Sequence, residues 1–327
     1  MDYINYVKQS PVQGLTGLYG GVQGALQQAA AGGGAPPYDG PGAYFGGRGI
    51  SSLNGGNIDY WSIASSSNAS DFGNMPSNSS NNNGALAGGS SGATRAVFGG
   101  GPSENAMVYV EIASTGNSST FGSLNQVRYA CAGCSSGTRG LFGGGSPDTA
   151  SIDYITVANT GTASDFGDRT EARHGIDAIS GGVRGIFANG QDPHSSVIDY
   201  VTIASTGNAT NFGNTTVART HGTGTNSDPG SGQNRGMFLA GFSGVDNHAD
   251  YITCATTGNA TDWGELANSH GYRTGSGTSG TKGFIAGGEG AGTDAITYIT
   301  IDTAGTSTNA GELTSSGSSQ GCSGAAS

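Results

Sequence analysis

One phrase is written six times along this chain, and it constrains the fold more than anything else does. "IDYVTIASTGNATNFGN" (Ile198–Asn214) has near-copies beginning at Ile58, Met107, Ile152, Ala249 and Ile296. The tyrosines of the copies are Tyr60, Tyr109, Tyr154, Tyr200, Tyr251 and Tyr298, at spacings of 49, 45, 46, 51 and 47. Twelve residues after each tyrosine stands an aromatic: Phe72, Phe121, Phe166, Phe212 and Trp263, with Ala310 the single lapse. A period of this length is the signature of a repeat architecture, and a phrase written six times is scaffold rather than an active site.

Two further signals recur within each period. An apolar run ending in glycines precedes each tyrosine: "AYFGG" ending at Gly47, then "RAVFGGG", "RGLFGGG", "RGIFANG", "RGMFLAG" and "KGFIAGG" ending at Gly101, Gly145, Gly190, Gly241 and Gly288. Between copies lies a run of small residues such as Ala130–Ser135. Each unit therefore reads as four short strands. Strand a is the small-residue run, and strand b the apolar run into glycine, as in Gly140–Gly144. Strand c is the β-branched and aromatic run Ile152–Ala158, and strand d begins at the Phe-Gly. "STGNAT" between c and d is turn chemistry.

Four strands in about 47 residues match one blade of a β-propeller. Small residues in strand a suit the crowded position around a central channel. Strand c, apolar on both faces, suits a sheet sandwiched between neighbours. The first unit has no strand a, and the tail after Gly311 carries "GCSG" (Gly321–Gly324), which matches "GCSSG" at Gly133–Gly137. Joining this tail to Ala43–Gly47 closes a ring of six and hides two sheet edges that would otherwise invite pairing with other chains.

These elements resemble a kelch repeat: an apolar strand, a double glycine, then a tyrosine and an aromatic at fixed spacing. The aromatic is Phe in four units and Trp only at Trp263, a departure from the usual kelch Trp. "RGLFGGG" together with "IDYVTIASTGNATNFG" is also similar to propellers in virion proteins of tailed bacteriophages, marine ones especially, over residues 41–327. The expected fold class is all-β: a six-bladed kelch-like β-propeller over 41–327, with a non-propeller segment at 1–40.

Residues 1–40 carry two apolar clusters, Ile4/Tyr6/Val7 and Leu15/Leu18/Tyr19/Val22/Leu26, followed by an Ala/Gly/Pro spacer. The second cluster has roughly helical spacing, weakened by Gly17, Gly20, Gly21 and Gly24. The resemblance implies an anchor: Ile4, Tyr6, Val7, Leu15, Leu18, Tyr19, Val22 and Leu26 docking on a tail, portal or capsid protein. The alternative is a disordered terminus.

Composition narrows the function. The 327 residues include 63 glycines but only 11% charged residues, with net charge −11 and Lys8 and Lys282 the only lysines. A nucleic-acid partner is not expected, because a polyanion would be repelled and no basic patch appears. The opening residues lack the apolar core of a signal peptide, and no apolar run could span a membrane. The expected location is a virion made in a host cytoplasm.

Candidate chemistry is thin. Cys131-x-x-Cys134 would put its thiols on opposite faces of a strand, and core filler is the expected role. Cys254 replaces Ile or Val in register with Ile63, Ile112, Val157, Ile203 and Ile301. Asp59, Asp153, Asp199 and Asp250 precede repeated tyrosines, so symmetry spreads them around the ring. Each is expected to pair with backbone amides or with an arginine such as Arg139 or Arg184, not to share a metal. His174, His194, His221, His248 and His270 show no ligand spacing. Thr257–Gly264 is similar to the Asp-box turn of sialidase propellers but lacks its spacing. Asn68, Asn208 and Asn259 head formal glycosylation sequons and read as turn residues.

No catalytic, cofactor or metal residues are assigned. The expected function is a non-enzymatic virion structural protein: a tail-associated fibre or knob, or a capsid decoration, present in multiple copies. It would present the propeller to a host-surface glycan or envelope protein through Arg48–Asn57, Asn74–Gly84, Ser146–Ala150 or Asn226–Asn234. The alternatives are a propeller depolymerase cutting host polysaccharide and a cellular kelch-type scaffold binding proteins.

Overall fold

The double glycine that ends strand b has a backbone reason. In blades two to six the first residue of the pair is left-handed: Gly100 (φ 82°), Gly144 (63°), Asn189 (61°), Ala240 (55°) and Gly287 (70°). The second is Gly101 (148°), Gly145 (126°), Gly190 (125°), Gly241 (127°) and Gly288 (118°). Asn and Ala are tolerated at the first place; the second lies in a region essentially restricted to glycine, and glycine occupies it every time.

The computed structural model describes residues 48–53, 55–63, 65–76, 84–88, 95–227, 234–242, 244–271, 274–278, 281–288, 294–305, 307–315 and 319–326. They form 24 strands in six four-stranded antiparallel sheets, with no helix among the described residues. Blade one contains Arg48–Leu53 (β1), Asn57–Ser62 (β2) and Ser70–Asn74 (β3). Blade two is Gly84–Gly88 (β4), Arg95–Gly101 (β5), Glu104–Glu111 (β6) and Ser119–Ser123 (β7). Blade three is Ala132–Ser135 (β8), Arg139–Gly143 (β9), Ser151–Thr156 (β10) and Ser164–Asp168 (β11). Blade four is Asp177–Gly181 (β12), Arg184–Ala188 (β13), Ser195–Thr202 (β14) and Thr210–Arg219 (β15). Blade five is Thr223–Asn226 (β16), Arg235–Leu239 (β17), His248–Thr253 (β18) and Thr261–Glu265 (β19). Blade six is Gly275–Thr278 (β20), Lys282–Ala286 (β21), Ala295–Thr300 (β22) and Ser307–Glu312 (β23). The last strand, Ser319–Ala326 (β24), completes blade one in the order β24-β1-β2-β3.

The protein is therefore a six-bladed β-propeller. Strand a of each blade touches strand a of the next, and the circuit β24–β4–β8–β12–β16–β20 returns to β24. Small residues occupy this position because six strands converge there. At Gly224 of β16, a Cβ would stand 2.2 Å from the carbonyl oxygen of Ala178 in β12.

The closing register corrects one sequence expectation. The tail pairs with Arg48–Leu53, in the register Ile50↔Ser323, Ser51↔Cys322 and Ser52↔Gly321, not with Ala43–Gly47. Strand b of blade one is thus "RGISSL". Arg48 heads it as Arg95, Arg139, Arg184, Arg235 and Lys282 head the others. It follows that most of Arg48–Asn57, read from sequence as irregular, is regular strand. The segment 43–47, and the anchor residues Ile4, Tyr6, Val7, Leu15, Leu18, Tyr19, Val22 and Leu26, lie outside the described residues.

The core is divided into six apolar clusters, one between each pair of neighbouring blades. The cluster between blades six and one explains how the Ala310 lapse is tolerated. Trp61 stands where other blades carry Val110, Ile155, Val201, Ile252 or Ile299. Its indole enters the space beside Ala310 and meets Phe284 edge-on at 4.9 Å. Gly49 makes room for it, since a Cβ there would lie 2.6 Å from the indole ring.

Candidate functional site

The repeated residues converge on the joints between blades, at the c–d turns. Tyr60, Tyr109, Tyr154 and Tyr200 meet Phe72, Phe121, Phe166 and Phe212 edge-to-face at 5.9 to 6.0 Å. Over each tyrosine lies the cation heading strand b of the same blade, at 4.3 Å for Arg95 on Tyr109 and 4.5 Å for Arg139 on Tyr154. That guanidinium reaches onward to the next blade. Arg95 Nη1 donates to Ala158 O (2.9 Å), Arg139 to Ile203 O (2.9 Å), Arg184 to Cys254 O (2.9 Å) and Arg235 to Ile301 O (3.3 Å).

The Phe-Gly and the "TGN" turn complete the joint. Gly116, Gly161, Gly207 and Gly258 each donate their amide at 2.8 Å to the carbonyl of the preceding blade's Phe72, Phe121, Phe166 and Phe212. The sequon asparagines serve the same contact. Asn208 Oδ1 accepts from Asp168 N (3.0 Å), Asn259 Oδ1 from Asn214 N (3.1 Å) and Asn68 Oδ1 from Glu312 N (3.2 Å). The turn at Thr257–Gly264 is one of these joints, with Gly264 N donating to Asp262 Oδ1 (2.8 Å).

The opposite face is built differently. Antiparallel order places the b–c loops and the linkers entering strand a on one face, termed the entry face. The aspartates that precede the tyrosines pin the linkers, pairing with backbone amides (Asn125 N to Asp153, Thr216 N to Asp250, Thr314 N to Asp59) and with arginines as expected from sequence, but the arginines are linker residues and not Arg139 or Arg184. Asp153 takes Arg128 (2.9 Å), Asp199 takes Arg169 (3.2 Å) and Asp250 takes Arg219 in direct contact, all with no side-chain exposure. Asp59 accepts from Thr314 N and Oγ1, both at 2.7 Å; burial raises its pKa and the two bonds counter that rise. Blade six substitutes a neutral pair. His270 Nε2 lies 2.7 Å from Thr297 Oγ1 and Nδ1 2.8 Å from Gly287 O, and burial pushes the imidazole down to about 4. The neutral ring therefore donates to the carbonyl and accepts from the hydroxyl. Blade two has Val108 at the aspartate's place.

Cys131 lies in the apolar cluster between blades two and three, and Cys134 in that between blades three and four, on opposite faces of one blade. Burial pushes the thiols of Cys134 and Cys254 up to about 12, so neither is a nucleophile at neutral pH.

Asp177, at the start of strand a in blade four, is buried, and Asn189 Nδ2 donates to its Oδ2 (2.6 Å). Asn189 Oδ1 accepts in turn from Thr215 Oγ1 (2.7 Å). Desolvation pushes Asp177 up to about 7 against the pull of Arg219, Asn189 and Arg169. A folded pKa above the unfolded value of about 3.9 means the native state holds the proton more tightly. This contribution is full below about pH 4 and is lost as pH rises through about 7. Asp177→Asn should leave the melting temperature near wild type at pH 4.5 and raise it by several degrees at pH 8. Comparison at equal pH removes the opposing effect of His270, which costs stability as pH falls from about 6.5 to 4. Parallel melting curves at both pH values for the two proteins would refute the assignment.

Sequence spacing missed one gathering on the entry face. His174, in the linker into blade four, meets Asp148 from the β9–β10 loop, with Nδ1 2.5 Å from Oδ1. Asp192, from the β13–β14 loop, brings a carboxylate oxygen to the same place, all three donor atoms lying within 4.8 Å of one another. His221, from the linker into blade five, packs edge-on against the His174 ring at 5.9 Å. The repeat spacing there is 46 (Tyr154 to Tyr200), so Thr220, bridged to Phe242 as His174 is to Gln191, holds the place equivalent to His174, and the repeat gives no signal for the two histidines. A second group, His248, Asp250 and Asp262, also comes together, but its Asp250 is already held by Arg219. The chain matches no known protein-family model and no curated protein sequence.

Proposed function

We propose that the ring is a non-enzymatic display module of a tailed-phage virion, anchored through residues 1–40 and meeting the host surface through its loops. The observation that carries this reading is the division of labour within each repeat. Residues common to the blades are consumed in joints and cores, which leaves blade-specific side chains for the loops. A rigid scaffold with variable loops is suited to recognition. The likeness of "RGLFGGG" and "IDYVTIASTGNATNFG" to phage virion propellers supports the particle, and the two apolar clusters before a Gly/Pro spacer support the anchor. Weak contacts to a surface glycan or envelope protein would be multiplied by copy number.

The test uses virions of a phage carrying this gene, assembled with the full chain or with residues 1–40 deleted. Mass spectrometry of purified particles is expected to find the full chain and to show at least a tenfold loss of the deleted form, whose melting curve in solution stays unchanged. Absence of the full chain from particles rejects the virion reading, and equal incorporation of the deleted form rejects the anchor.

A further inference from the structure

We propose that Asp148, His174 and Asp192 form a binding site for one divalent transition cation, with Zn²⁺ as the reference ion. The site holds whether or not the ring is carried on a particle. Its three donors come from three separate segments of two blades. One imidazole nitrogen and two carboxylate oxygens lie within 4.8 Å of one another. Around a single ion with bonds of about 2.0–2.2 Å, donors stand roughly 3–4.4 Å apart, so the His174–Asp148 pair gives up the proton between its atoms and opens from 2.5 Å while the donors near the 4.8 Å limit draw in. An imidazole with two carboxylates is a borderline donor set, better matched to Zn²⁺ or Mn²⁺ than to Ca²⁺.

The frame is set by backbone. Gln191 N donates to His174 O (2.9 Å), which ties the Asp192 loop to the histidine's own segment. On the other side Gly145 N donates to Arg173 O (2.9 Å) and Ser146 N to Tyr129 O (2.7 Å), which ties down the loop bearing Asp148. The edge-on contact with His221 fixes the ring of His174. Such a frame makes little rearrangement necessary on binding.

Charge leaves a place for a cation. Two carboxylates face one imidazole, while the adjacent guanidinium of Arg173 is directed to Glu171 (2.7 Å) and to the carbonyl of Pro193. The pair is also foreign to the repeat. In blade five the linker that carries His221 is bridged to a loop bearing Phe242, an exposed aromatic, where blade four has the Asp192 loop. Repeat architecture therefore does not require carboxylates at this position, in contrast to the buried aspartates of strand c.

The experiment is calorimetric titration of the tag-free full chain with ZnCl₂, alongside His174→Gln, Asp192→Asn and, as a distant control, His248→Gln. One equivalent of Zn²⁺ should bind to the wild type and to the control, and a saturating concentration should raise their melting temperature by several degrees. Each of the two site variants should lose at least tenfold in affinity. Asp192 is exposed on a loop, so its variant separates loss of a ligand from loss of folding. No saturable uptake overturns the proposal, as does uptake unchanged in both site variants or lost only in His248→Gln. Ca²⁺ binding as tight as Zn²⁺ overturns the class of ion.

Discussion

Replacing Arg128 with Leu is expected to lower stability by about 3–5 kcal/mol, and adding Asp153→Val to the same chain is expected to return roughly 2 kcal/mol of it. Arg128 and Asp153 have no side-chain exposure and form an ion pair at 2.9 Å. Removing the guanidinium alone leaves a carboxylate in the interior with only Asn125 beside it, donating from its amide (3.0 Å) and from Nδ2 (2.9 Å). A buried charge without its partner is costly, whereas an apolar pair of similar volume is often tolerated. The chain already carries the apolar solution at the aspartate's place: Val108 of blade two, in the apolar cluster between blades one and two. Recovery stays incomplete because Arg128 also donates to Ser151 O (2.9 Å) and Phe142 O (3.1 Å). Thermal melts of the wild type, both single variants and the double variant give the coupling. A double variant no more stable than Arg128→Leu would show that the pair is not what holds the linker.

Much of the ring was legible because the repeat writes each local rule several times. Asn189 and Ala240 replace the first glycine after strand b while Gly190 and Gly241 keep the second, and that pattern alone separates a left-handed position from a stricter one. The lapse at Ala310 was visible; its remedy, Trp61, was not, because the two are 249 residues apart and meet only when the ring closes. Apolar content alone points to "AYFGG" for strand b of blade one, whereas the paired strand is Arg48–Leu53. Arg48 was the better marker, since its guanidinium lies 4.8 Å from the Tyr60 ring and reaches Ala113 O at 3.0 Å, as its counterparts do. The distribution of the aspartates, and their pairing with backbone amides and arginines, are legible in the repeat, but which arginines is not. Arg139 and Arg184 are committed to tyrosines on the opposite face, while Arg128, Arg169 and Arg219 sit in linkers whose lengths vary. Variable linkers and loops also hid Asp148, His174 and Asp192, which no fixed offset relates.

Gly122→Ala should be the most damaging conservative change in the ring, costing on the order of 3 kcal/mol or more through overpacking and a lost backbone hydrogen bond. A Cβ on Gly122 would stand 1.9 Å from the carbonyl oxygen of Gly161 in the next blade. Neither side can easily retreat. Gly161 N donates to Phe121 O (2.8 Å) and Ala163 N to Ser123 O (2.8 Å), so separating the backbones breaks the joint on both sides of the clash. The ring geometry spreads the penalty, because a blade displaced from one neighbour is pushed toward the other. Gly258→Ala is the matched control. It occupies the equivalent turn of blade five, a Cβ there meets nothing within 4 Å, and the change should fall within about 0.5 kcal/mol of wild type. Amide exchange in Gly122→Ala should rise first in Ser119–Ser123 and in residues 160–163, the two sides of the damaged joint. If Gly122→Ala melts with Gly258→Ala and wild type, the Phe-Gly and the "TGN" turn are not the hinge on which one blade fits the next, and the chain's need for six copies of one phrase loses its physical cause.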